Sequence, residues 1–142
     1  MRTENKELLL RDLCARLPYG VKVGTTDNDG SLENVWDTLW FNTFTEDVKL
    51  THSIEDADKI IDISETKPYL FPLSSMTEEQ KSEYHTLCYE EEKECYEYGE
   101  WVTRVYLHNT IESIDWLNSH HFDYRGLIPK SLAIDATGLN IY

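Results

Sequence analysis

Val35-Trp36-Asp37-Thr38-Leu39-Trp40-Phe41-Asn42-Thr43-Phe44 alternates with apolar bulk on both sides. Trp36, Trp40 and Phe44 fall on one face of a strand, and Val35, Leu39 and Phe41 fall on the other. A strand with two apolar faces belongs inside a sheet, so this segment predicts a central strand. Around it, Tyr19-Gly20-Val21-Lys22-Val23, Val48-Lys49-Leu50 and Lys59-Ile60-Ile61-Asp62-Ile63 read as further short strands, rich in residues that favour the pleated conformation. Thr25-Thr26-Asp27-Asn28-Asp29-Gly30 reads as a hairpin turn, because Asn, Asp and Gly accept the positive φ a tight turn needs. It fails as an EF-hand loop: with Gly30 at position 6, the metal-ligating positions 1 and 12 would hold Thr25 and Trp36. The polar stretch from Ser53 to Asp58 is expected as a loop.

Helices flank this meander. Leu9, Leu10, Leu13 and Leu17 recur at helical spacing from about Glu4, and Pro18 stops the run. Pro68 and Pro72 interrupt Lys67 to Leu73, which predicts an edge or wrapping segment, since proline removes ladder donors. Ser75 with Glu78 and Thr77 with Gln80 form two overlapping capping boxes, and the helix they open is expected to reach Tyr98 and stop at Gly99. Trp101 to Leu107 alternates as a strand, with Trp101, Thr103, Val105 and Leu107 opposite Val102, Arg104 and Tyr106. Asn109 and Glu112 suggest a third helix, with Ile111, Ile114 and Leu117 inward, ending near Ser119 or His120. The expected fold is α+β in one domain spanning residues 1–142. It has an N-terminal helix, a small mainly antiparallel sheet, curled or barrel-like, and two later helices packed on it.

The chain has 142 residues, 40% hydrophobic and 12% aromatic, enough for a packed core. Its 27 acidic and 13 basic residues leave a net charge of -14. Such a chain repels phosphate backbones and anionic membranes and suits a basic protein partner. The first residues, Met1 to Glu7, are charged, and Leu8-Leu9-Leu10 runs straight into Arg11 and Asp12, which is too short for a signal peptide. No stretch approaches the ~20 apolar residues of a membrane helix. These features imply a cytoplasmic protein, in which Cys14, Cys88 and Cys95 are expected as reduced thiols. No phosphate loop or dinucleotide fingerprint is visible, so no cofactor is expected.

Three groups of residues have chemistry worth locating. The first is the segment from Thr77 to Tyr98, with eight glutamates against Lys81 and Lys93. Read as a helix, it sets Glu79 against Glu83 and Glu90 against Glu94 at i, i+4, a mild repulsion that a basic partner would relieve. Glu90, Glu91, Glu94 and Glu97 are therefore candidate partner-binding residues, with a plain solvated face as the alternative. The second group is His85 with Cys88, a possible short metal-ligand pair. Cys95 lies two turns further along that helix and no second pair accompanies it, so small apolar cysteines are the competing reading.

The third group is His120, His121, Asp123, Tyr124 and Arg125. In an enzyme, one histidine would be a base oriented by Asp123, with Tyr124 or Arg125 stabilising charge. In a purely structural role, the histidines meet the negative end of a helix dipole, Phe122, Tyr124, Leu127 and Ile128 pack back on the core, and Gly126 makes the turn.

Four stretches together resemble a family of small proteins, with no assigned reaction, from gut bacteria of the Bacteroides group and their phages and mobile elements. They are Lys6 to Val21, Lys67 to Lys81, Trp116 to Ile128, and the segment Ala133-Ile134-Asp135-Ala136-Thr137-Gly138-Leu139-Asn140-Ile141-Tyr142. The resemblance implies a cytosolic protein of a bacterium or phage and transfers no catalytic residue. Together the features favour an acidic protein-binding module, for example an inhibitor or accessory protein of a phage or mobile element. The alternatives are a small hydrolase or metal-dependent enzyme using His120 to Arg125, and an assembly component.

Overall fold

Helix α1 (Thr3–Arg16) buries Leu9 and Leu13, and with them Asp12 and Arg16. These four lie at i, i+3, i+4 and i+7, one face of a 3.6-residue repeat. The chain then tightens into a 3₁₀ turn over Leu17–Tyr19, with Pro18 where a missing N–H costs nothing, and leaves through Gly20 at φ 69°. The computed structural model describes residues 2–26, 32–42, 47–52 and 57–142. Within them the chain forms two compact units, Met1–Ser75 with His121–Tyr142, and Met76–His120.

The first unit is a sheet with α1. Strands β1 (Lys22–Thr26), β2 (Leu32–Asn42), β3 (Asp47–His52) and β4 (Ala57–Asp62) form an antiparallel meander, with register irregularities at Gly24/Thr26 and Thr38/Trp40. β2 lies between β1 and β3, in the central place expected of it. The first strand starts later than Tyr19, because Tyr19 and Gly20 are used in the turn after α1. Thr25 and Thr26 belong to β1, and Asp27 to Gly30 and Phe44 lie outside the described residues. The expected loop from Ser53 to Asp58 is also partly outside them, with Ala57 and Asp58 already in β4.

After a 3₁₀ turn at Ile63–Glu65, β5 (Thr66–Pro72) returns antiparallel to β1, placing Pro68 opposite Val23. Short strands β8 (Phe122–Asp123) and β9 (Ile134–Asp135) pair with β5 in parallel. The path β4-β3-β2-β1-β5-β8 is open, so the sheet does not close into a barrel.

The expectation that Lys67 to Leu73 is an edge is corrected. The Phe71 amide donates to the His121 carbonyl (2.8 Å) and the Leu70 carbonyl accepts from the Ala136 amide (2.8 Å). The N–H and C=O of one peptide point to opposite edges of a strand, so β5 is bonded on both sides here. These bonds draw on Phe71 and Leu70, and neither needs a proline N–H. Leu9, Leu13, Val21, Val23, Ile61, Ile63, Leu70, Leu127, Leu132 and Ala133 make the core, with Leu8, Leu10 and Ile128 packed against it.

The second unit holds α2 (Glu78–Leu87), the hairpin β6 (Tyr89–Glu97) and β7 (Glu100–His108), and α3 (Ile111–Ser119). Thr77 caps α2 in a full box with Gln80 (3.1 and 2.9 Å). Ser75 forms no such box, because its hydroxyl donates to the Pro72 carbonyl (2.6 Å).

The expected helix to Tyr98 is corrected: it stops at Leu87, and Cys88 is already extended (φ -80°, ψ 158°). The Leu87 carbonyl accepts from the Thr110 hydroxyl (2.6 Å). A helix continued through Glu90 to Glu94 would stack like charges over a sparse apolar stripe. Strand pairing instead brings Glu91 to His108 and Glu97 to Arg104.

Helix α3 is capped by Thr110 with Ser113 (3.0 and 2.7 Å), one residue later than the expected Asn109–Glu112 box. Asn109 Oδ1 instead accepts from the Ser113 hydroxyl (3.1 Å) and from the Tyr84 hydroxyl. Leu117 is buried as expected and Ile114 half-buried, whereas Ile111 is exposed.

Candidate functional site

The hairpin sorts its residues by side. Tyr89, Glu91, Lys93, Cys95 and Glu97 pair with His108, Tyr106, Arg104, Val102 and Glu100, so these ten share one face. All three basic side chains of the ribbon are on this face, and each has an acidic neighbour. His108 Nε2 lies 2.7 Å from Glu91, Lys93 Nζ lies 3.4 Å from the same carboxylate, and Arg104 donates to Glu97 through two nitrogens. Lys93 also sits over the Tyr106 ring at 5.6 Å. Hydrogen bonds from His108 and Arg104 hold the Glu91 and Glu97 carboxyls below the usual carboxylate range.

The opposite face carries Glu90, Glu92, Glu94 and Tyr96 alongside Leu107, Val105, Thr103 and Trp101. No cation is present on it. Tyr96 and Trp101 meet edge to face (5.3 Å), and both are more than 60% exposed. Three carboxylates therefore stand beside an exposed apolar row of Trp101, Val105 and Leu107. Of the expected partner-binding residues, Glu90 and Glu94 belong to this open face. Glu91 and Glu97 belong to the internally paired one. Glu92 and the apolar row were missed, because only the strand period brings them together.

The second cluster centres on a buried ion pair. Arg16 donates to both Asp12 oxygens (2.8 and 3.1 Å) and to the Phe122 carbonyl (2.6 Å), with both side chains of the pair fully buried. Arg125 Nε approaches Asp12 at 3.5 Å, and the Arg16 and Arg125 guanidiniums lie 5.3 and 5.1 Å from the Tyr124 ring. Burial pushes the Asp12 carboxyl up, while Arg16 and Arg125 pull it back only in part. The Asp123 carboxylate accepts the Leu127 and Ile128 amides (2.8 Å each), closing the turn that Gly126 makes at φ 74°.

His121, at φ 62°, stacks flat on Tyr142 (3.5 Å, 9°). The Tyr142 hydroxyl in turn donates to the Tyr69 carbonyl (2.8 Å) and accepts from the Lys22 amide (3.0 Å). His120 belongs to the other unit, where its ring stacks on Trp116 (4.1 Å) with Nδ1 placed to donate to the Trp116 carbonyl (2.9 Å).

The structure thus brings Tyr124 and Arg125 together with Asp12 and Arg16. It directs His120, His121 and Asp123 to separate partners. Asp12 and Arg16 were legible as the i, i+3, i+4, i+7 companions of Leu9 and Leu13, but two charged residues do not signal burial.

His85 and Cys88 sit at the end of α2, where the Cys88 amide donates to the His85 carbonyl (3.2 Å). Cys95 is on β6, so the three do not share a helix face, and no group of three metal-ligating side chains occurs among the described residues. Cys88 and Cys95 are half-buried rather than buried, and Cys14 is exposed. Burial and the neighbouring Cys88 push the Tyr84 hydroxyl up to about 12. An open depression of about 500 Å³ is lined by Asn109, Thr110, Ile111, Ile114 and Asp115, which include no histidine or cysteine. No described helix is long and apolar enough to cross a membrane. No protein-family model, curated protein or solved structure matches this chain.

Proposed function

We propose that this protein is a protein-binding module whose docking face is the side of the β6–β7 ribbon carrying Glu90, Glu92, Glu94, Trp101, Val105 and Leu107. The observation that supports this most is the segregation of charge. Lys93, Arg104 and His108 all lie on the other face, leaving the three glutamates beside exposed apolar side chains. A partner with basic and apolar side chains fits both halves of that surface, and the net charge of -14 favours its approach.

In charge, the face imitates the phosphate backbone that nucleic-acid-binding proteins hold. An inhibitor or accessory protein of a phage or mobile element, acting in the cytoplasm of a Bacteroides-group host, is the concrete form the sequence resemblance supports.

The test is affinity capture from nuclease-treated lysate of such a host, eluted with salt. The wild-type chain is compared with the triple variant Glu90→Lys, Glu92→Lys, Glu94→Lys and with Glu91→Gln. A basic protein captured by the wild type and by Glu91→Gln, but lost with the triple variant, is the expected result. Equal capture by the triple variant would sink the acidic-face reading.

A further inference from the structure

The hairpin turn decides which backbone groups of the ribbon are free. Tyr98 and Gly99 are both left-handed (φ 50° and 83°) and link Glu97 to Glu100, a register pair. In a two-residue turn of this kind the flanking pair exchanges both main-chain hydrogen bonds, and bonded and non-bonded pairs then alternate. Cys95 with Val102, Lys93 with Arg104, and Glu91 with Tyr106 therefore bond across the ribbon. The residues between them turn N–H and C=O outward, and these are the residues of the docking face. They are Glu90, Glu92, Glu94 and Tyr96 along β6, and Trp101, Thr103, Val105 and Leu107 along β7. Among the described residues, β6 and β7 pair only with each other.

The two open edges differ in chemistry. Three of the four outward-bonding positions of β6 are glutamates, the kind of charge that keeps a sheet edge from pairing. None of the four on β7 is charged, and Trp, Thr and Val are strong strand formers. Trp101, Val105 and Leu107 are 71, 55 and 43% exposed, and no described strand pairs with this edge.

We propose that an extended basic segment of the partner adds to β7 as a third strand, with lysine or arginine at alternate positions on the glutamate side. This rests on the docking face proposed above and says how that face is used. Main-chain bonds to Trp101, Thr103, Val105 and Leu107 supply affinity, and side chains at every second position supply selectivity. The partner strand lies two strand spacings, about 10 Å, from β6, a gap that extended Lys or Arg and Glu side chains span together. The alkyl stems then cover the apolar row while the cations reach Glu92 and Glu94. A second copy of this chain would bring its own net charge of -14 to the edge, so a basic segment is the better occupant.

The test uses the full chain and a short fluorescent peptide of alternating lysine and valine. A second peptide of the same sequence is N-methylated on the alternate amides that would face β7. In the free protein, the amides of Val102, Arg104 and Tyr106 should exchange slowly and those of Thr103, Val105 and Leu107 fast. On adding the unmodified peptide, the fast set should slow by about tenfold or more, and N-methylation should weaken binding by about tenfold, the loss of a few net hydrogen bonds.

Equal binding of both peptides with no new protection would overturn strand addition. Loss of that binding in the Glu90→Lys, Glu92→Lys, Glu94→Lys variant would at the same time leave the docking face standing. Binding unchanged in the triple variant would overturn the face as well. Concentration-dependent self-association that protects the same amides without peptide would assign the edge to a second copy and overturn the proposal.

Discussion

At the residue scale, the most consequential group is the Asp12–Arg16 pair, sealed under α1 with the Phe122 carbonyl as third partner. Two desolvated charges are tolerable only together, because removing one leaves the other buried and uncompensated. Asp12→Leu or Arg16→Met alone should each cost about 3–5 kcal/mol in urea unfolding. The double variant should lie closer to wild type than either single variant. If the two single effects simply add, the pair does not act as a unit.

Two aspartates in turns are held low by local hydrogen bonds. Asp62, which accepts from the Ser64 amide and hydroxyl, and Asp135, which does the same for Thr137, have carboxyls held below the ordinary value by those bonds. A carboxyl with a lowered folded value stabilises the fold above the unfolded value of about 4, and that contribution fades as pH falls through the folded value. Carboxyl-carbon NMR should find both titrating below an ordinary aspartate. Normal midpoints would mean these turn bonds do not persist in solution.

At the element scale, the hairpin depends on its turn. Gly99 sits at φ 83°, in the left-handed region where a side chain is strained. Gly99→Val should cost about 1–2 kcal/mol, read as faster amide exchange along β6 and β7. Tyr98, at φ 50°, already carries part of that strain, so Tyr98→Asn should slow the same exchange. Helix α2 depends instead on its cap, and Thr77→Ala should cost about 1 kcal/mol of stability. An unchanged melting curve for Thr77→Ala would show the box to be solvent-competed.

At the scale of the whole molecule, the proposed docking face and the core predict that stability and recognition rest on different side chains. Leu70 is fully buried in the core of the first unit, and Leu70→Ala should cost about 2–5 kcal/mol by losing its contacts and leaving a cavity. Trp101 is 71% exposed on the ribbon, so Trp101→Ala should leave the melting temperature nearly unchanged while weakening partner capture. Raising ionic strength should weaken that capture further, as the exposed carboxylates are screened. Capture that is insensitive to salt would assign the affinity to the apolar row alone.

The α+β class, the N-terminal helix, the antiparallel meander with β2 inside it, the strand alternation of β7 and the Thr77 cap all follow from the amino-acid sequence, because each is set by local period and local hydrogen bonds. Tertiary structure decided what those local signals leave degenerate. The Glu90 to Glu97 run favours helix by composition, yet strand partners at Val102, Arg104 and Tyr106 outweigh that propensity. Pro68 and Pro72 argue against an interior strand, yet β5 is bonded on both edges because the donor used there is Phe71. Asp12 and Arg16 are ordinary surface residues by type and become core residues only once the Phe122 carbonyl and Arg125 arrive from the far end of the chain. A charge's environment is fixed by what packs around it, and sequence spacing alone does not carry that information.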